Sequence, residues 1–165
     1  MRWNLNPGAH PEVDLWLFWQ YNSYILTNIG ATTMAYISTK EVAAIRAELK
    51  EAFGKKWRFG VRKSAGGLSV DVTILQGTES FQDSFKHGNG YSQVNQYWID
   101  DHFQDAGERA QIKKLFTIIK TAPAKAEGGR AWFDESDAMT DYFHTAFYMH
   151  VNIGSWDKPY RCVEG

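Results

Sequence analysis

The chain has 165 residues, 44% of them hydrophobic and 22% charged, which is enough for one compact domain with its own core; 4 prolines and 14 glycines exclude a disordered or collagen-like chain. Its 18 basic and 19 acidic side chains leave a formal charge of -1, excluding a strongly basic nucleic-acid binder and an acidic DNA mimic, so any charge-driven role is local. The one cysteine, Cys162, excludes an internal disulfide and a cysteine-based zinc site and suits a reducing cytoplasm.

Residues 1–33 read as an aromatic-rich N-terminal extension. The run Leu15-Trp16-Leu17-Phe18-Trp19 is interrupted by Gln20, Asn22 and Ser23, well short of the roughly 20 apolar residues of a membrane span. Glu12 and Asp14 precede it, which does not suit a signal peptide. The expectation is a cytoplasmic chain without a membrane segment. Trp16, Phe18 and Trp19 are too apolar to float freely, so the extension is expected to pack on the domain or on a second copy. Met34 is a candidate start, and residues 34–165 are expected to fold alone as a single domain.

Ser38 and Glu41 stand at capping-box spacing, and Val42, Ile45, Leu49 and Phe53 follow at helical spacing up to Gly54, a left-handed cap. A hairpin comes next. If Gly66-Gly67 is a two-residue turn, Lys63 faces Val70, Val61 faces Val72 and Phe59 faces Ile74 on one face, while Arg62 faces Asp71 on the other. Residues 76–90 read as a loop with a short turn near Phe81 to Phe85, and residues 91–99 as a third strand. Asp105 caps a second helix carrying Ile112, Leu115, Phe116 and Ile119. A flexible stretch from Pro123 to Arg130 leads to the acidic turn Asp134-Glu135-Ser136-Asp137 and to a long strand over residues 142–153. On that strand Phe143, Phe147, Met149, Val151 and Ile153 point one way, and Tyr142, His144, Tyr148 and His150 the other. The fold class is α+β: an antiparallel sheet with two amphipathic helices packed on one face.

The chemistry-bearing residues form few patterns. His144 and His150 lie roughly 20 Å apart on one strand, too far to share an ion, and pairing either with His87 or His102 has no trace in sequence. Asp134, Glu135, Asp137 and Asp141 lack the glycine and glutamate spacing of a calcium loop. No nucleophile elbow, phosphate loop or dinucleotide fingerprint is present. No metal and no cofactor is therefore expected. Lys55, Lys56, Arg58, Arg62 and Lys63 interleave with Trp57 and Phe59, as on single-stranded nucleic-acid surfaces, but parity puts the aromatics on the core face and Arg58 and Arg62 opposite them. Residues 34–75 carry eight basic and four acidic side chains, residues 76–165 nine and thirteen, so the domain is polarised.

The segment Tyr36-Ile37-Ser38-Thr39-Lys40-Glu41-Val42, the strand from Trp57 to Val61, the Gly66-Gly67 turn and Ser69-Val70-Asp71-Val72 resemble the large polyvalent protein-associated domain, twenty-ninth family. Phe133-Asp134-Glu135-Ser136-Asp137, Asp141-Tyr142-Phe143 and Trp156-Asp157-Lys158-Pro159 are similar to the end of its small stand-alone members, so the resemblance covers about residues 34–159. It implies a phage or mobile-element setting, among proteins that accompany or protect incoming DNA, and brings no catalytic residue with it.

The resulting expectation is a small accessory protein that binds a host or nucleoprotein partner through an open sheet face bearing Arg58, Arg62, Tyr142, His144, Tyr148 and His150. Two alternatives stand beside it: an enzyme with a carboxylate–His acid–base site near His144 or His150, and a nucleic-acid module centred on Arg58 and Arg62.

Overall fold

The computed structural model describes residues 34–164 apart from 86 and 87; the expectations for residues 1–33 and for His87 lie outside the described residues. In chain order the elements are α1 (Thr39–Phe53), β1 (Arg58–Lys63), β2 (Ser69–Gly77), β3 (Ser92–Val94), the single turn α2 (Ile99–His102), α3 (Ala106–Thr121), β4 (Tyr148–Ile153) and β5 (Arg161–Cys162). Among the described residues no helix is long and apolar enough to cross a membrane.

Both long helices start at the caps that the sequence predicts. Ser38 Oγ accepts from the Glu41 amide at 3.2 Å and Glu41 Oε2 accepts from the Ser38 amide at 2.7 Å, which satisfies two orphan donors at the start of α1. Asp105 Oδ1 accepts from the Glu108 amide at 3.0 Å and starts α3 in the same way. Val42, Ile45 and Leu49 of α1 and Ile112, Leu115, Phe116 and Ile119 of α3 are buried, each contributing about 1.5–3 kcal/mol of apolar burial. Gly54 ends α1 with its amide donating to the Lys50 carbonyl and with the positive φ, +72°, that favours glycine, although its ψ of -166° lies outside the left-handed helical region expected of it.

The hairpin keeps its predicted register: Phe59 pairs with Ile74, Val61 with Val72, Arg62 with Asp71 and Lys63 with Val70. Its turn is longer than the two residues expected. Ser64 donates to the Ser69 carbonyl at 3.0 Å, and Ser64 Oγ accepts from the Ser69 amide at 2.9 Å, enclosing Ala65 to Leu68. A four-residue loop centred on the same glycine pair preserves the parity, so the side-chain faces are unchanged.

The α+β class holds, with the apolar stripes of both long helices in one core with the sheet, but the sheet is mixed where an antiparallel one was expected. Its order is β1-β2-β4-β3; β1–β2 and β3–β4 are antiparallel, whereas β4 runs parallel to β2, Val72 beside Val151 and Ile74 beside Ile153. Parallel neighbours need a long crossover, and the chain between β2 and β4, with α2 and α3 in it, supplies one. After β4 the chain leaves the sheet and returns as β5, again parallel to β2, at Gln76 and Gly77.

Three other expectations are corrected. The third strand is only Ser92–Val94, because Asn95 Oδ1 accepts from the Tyr97 amide at 2.9 Å and turns the chain into α2. The stretch from Pro123 to Arg130 is docked on α1 and not loose: Glu41 Oε1 accepts from the Arg130 amide at 3.3 Å, and Lys125–Glu48 and Lys40–Glu127 pair at 2.7 and 2.6 Å. The long final strand begins only at Tyr148. Ahead of it residues 134–145 double back as a narrow finger, bridged between Asp134 and Thr145 and between Asp137 and Tyr142.

Candidate binding groove

Against the outer edge of the sheet lies a groove of about 940 Å³ between α1 and β1. Its apolar floor comes from Ala47 and Leu49 of α1 and from Trp57, Phe59 and Val61 on the strand side. Arg46, Lys50, Lys55 and Arg58 line it as cations and Glu51 as its acid. The volume is that of a ligand-sized cleft, and its openness along an edge strand suits a segment of chain.

Local geometry explains the convergence. The β1–β2 register slips between Arg58 and Phe59, so Arg58 pairs with Gln76 while Phe59 stays with Ile74. The unpaired residue of that slip is Leu75 of β2. Arg58, expected on the face opposite the aromatics, lines the groove at the start of β1 together with Trp57 and Phe59. The aromatics are half-buried in a cluster with Phe53, whose ring centroid lies 5.0 Å from each, and they lie nearly parallel to each other at 6.0 Å. Lys114 of α3 seals the far side of Phe53, 4.5 Å above its ring, and donates to the Ala52 carbonyl. Trp57 also lies against Gly77, where a side chain would collide with its ring.

Arg46 closes the edge of the groove. Its Nε and Nη2 donate to the Val61 carbonyl at 3.1 and 2.7 Å. Since Ser64 pairs inward with Ser69, alternation makes Val61 an outward-facing position of β1, so the guanidinium caps a group that an added strand would need.

The six residues expected on one sheet face fall in three places. Arg58 is in the groove. Arg62, Tyr148 and His150 are exposed on the open face, His150 in register with Asp71, and Arg62 lines a cavity of about 220 Å³ with Asp71, Asp157 and Lys158. There the Ser155 hydroxyl, donating at 2.7 Å, holds the Asp157 carboxyl below its ordinary value, with Lys158 and Arg62 adding to the effect. Tyr142 and His144 belong to the finger, because the strand does not extend that far. The 20 Å strand spacing between His144 and His150 therefore does not apply. Among the described residues no three His, Cys, Asp or Glu side chains form a group that holds a metal ion.

The finger has a chemistry of its own. Asp137 makes its turn, Oδ1 accepting from the Met139 amide at 2.9 Å and Oδ2 from the Thr140 hydroxyl at 3.0 Å. His144 Nδ1 lies 3.1 Å from Glu135 Oε2, a carboxylate–imidazole pair in which Glu135 is exposed. All ten residues 134–143 are exposed, including Met139 at 92% and Phe143 at 68%. Parity predicts an inward Phe143, which the finger turns out to solvent.

The groove itself is missed by sequence reasoning. The visible signal was the Lys55-Lys56-Trp57-Arg58 run directly after a helix, and strict alternation hid its meaning. No protein-family model, no curated protein and no solved structure matches the chain.

Proposed function

We propose that the protein is a small accessory protein that acts in the cytoplasm by binding an acidic segment of a partner protein in the α1–β1 groove. The observation that carries this reading is the juxtaposition in one open cleft of an apolar floor, Leu49, Trp57, Phe59 and Val61, with four cations and one acid. Apolar burial on such a floor supplies affinity, and the exposed cations select charge and steer approach. A protein segment is favoured over a nucleic-acid strand because Trp57 and Phe59 are committed to the Phe53 cluster and Arg46 to the Val61 carbonyl. The phage or mobile-element setting, with protection of incoming DNA or counter-defence as the role, rests on the resemblance of the short motifs at residues 36–42 and 133–137; gene neighbourhood tests it.

The binding test is fluorescence anisotropy of a labelled peptide of alternating Asp and Phe, titrated with the full chain and with its Lys55→Glu, Arg58→Glu variant. Saturable binding lost in the variant is expected. If a labelled oligothymidine binds instead, with affinity falling steeply in salt, the groove is a nucleic-acid site; binding of neither probe removes the reading.

A further inference from the structure

The finger and the groove carry complementary chemistry. Residues 134–143 contain Asp134, Glu135, Asp137 and Asp141 and no lysine or arginine, and Met139 and Phe143 stand out among those acids. The groove has an apolar floor under Arg46, Lys50, Lys55 and Arg58, with Glu51 as its one acid. The finger does not fill the groove of its own chain, since residues 134–143, which carry its acids and Met139 and Phe143, are all exposed. It is also rooted at the other end of the sheet: Ala146, next to its base, accepts from the Tyr36 amide ahead of α1, and Tyr148 donates to Leu68 at the hairpin turn. The groove opens toward the C-terminal end of α1, at Lys50, Gly54 and Lys55, and α1 is about 22 Å long.

We propose that the acidic finger of one copy inserts Met139 and Phe143 into the α1–β1 groove of a second copy. The proposal rests on the reading of the groove as a site for an acidic segment and names the occupant. Such a contact joins two different surfaces, so it is heterologous and propagates head to tail into a ring or a filament. With the charges exposed at its rim, it weakens as salt rises.

Sedimentation velocity of the full chain over a concentration series is the test. The mass is expected to rise with concentration at low salt and to fall back on adding salt. Two variants separate the surfaces: Lys55→Glu with Arg58→Glu in the groove, and Met139→Ser with Asp141→Asn in the finger. The second leaves the Asp137 turn intact and places asparagine, tolerant of positive φ, where Asp141 has φ +52°. Each variant alone is expected to stay monomeric. Mixed, they are expected to form a complex of twice the monomer mass that grows no further, because one intact finger meets one intact groove. A wild type that is monomeric throughout, self-association that survives both variants, or a mixture that stays monomeric overturns the proposal. If the wild type is monomeric yet binds the Asp–Phe peptide, self-occupancy alone fails and the groove remains a binding site; if it binds no peptide either, both fall.

Discussion

Arg46 reaches from α1 over the free edge of the sheet to Val61, giving that carbonyl two donors at 3.1 and 2.7 Å. The contact joins a helix surface to an edge strand and limits the groove to side-chain recognition at this point. Removing it with Arg46→Ala is expected to cost about 0.5–1.5 kcal/mol, since the freed carbonyl is rehydrated. It also uncovers a strand edge, so light scattering on heating is expected to rise. Arg46→Lys, lacking the planar fork, falls between the two. Urea midpoints with static scattering check this; an alanine variant indistinguishable in both removes the edge-capping role.

A buried contact makes stability depend on pH. Glu108 is buried at the start of α3, and its Oε1 accepts from the Phe81 amide at 2.6 Å, holding Phe81 at φ +52° with its ring fully buried. Burial pushes the Glu108 carboxyl above its ordinary value, the Phe81 amide opposes this, and Asp105, Asp83 and Glu79 add to the rise. A raised folded-state value means that the folded chain holds the proton more tightly. The stabilisation is therefore full below the ordinary value of 4.5 and is lost as pH rises through the raised one. Glu108→Gln, neutral at every pH and still able to accept from Phe81, is expected to remove this component. Urea midpoints across the acidic range for both proteins check it: the advantage of Gln over Glu should shrink as pH falls, and a constant difference refutes the assignment.

Gly77, at the end of β2, lets Trp57 and Tyr160 close over the strand. A Cβ at this position would lie 2.6 Å from Trp57 Cε3 and Cζ3 and 2.8 Å from Tyr160 Oη, while that hydroxyl donates to the Glu79 carbonyl at 2.6 Å. Gly77→Ala is expected to destabilise by about 1–3 kcal/mol through overpacking. It should also displace Trp57 from the groove floor and weaken peptide binding at temperatures where the variant remains folded. Denaturation midpoints and anisotropy together check it; an alanine variant of wild-type stability that binds normally overturns the packing argument.

Much of the scaffold was legible in the chain itself. Ser38 with Glu41, Asp105, the stripes Val42–Ile45–Leu49 and Ile112–Leu115–Phe116–Ile119, and Arg62 opposite Asp71 are local relations, written in caps and in periods of 3.6 and 2 residues. Only the tertiary structure decided the rest. The parallel pairing of Val72 with Val151 joins residues far apart in the chain, and the loop-crossing that permits it leaves no periodic trace. The slip between Arg58 and Phe59, with Leu75 of β2 left unpaired, depends on strand partners and has no trace in the sequence. Residues 142–147 alternate like a strand, yet the Asp137 turn and the bridge from Asp134 to Thr145 fold Tyr142 and Phe143 into an exposed finger, and only 145–147 are buried at its base. The sequence by itself determined where helices begin and which faces are apolar, because those energies lie within a few residues of chain; the groove, the finger and the capping of Val61 by Arg46 were decided by contacts that exist only once distant segments have packed.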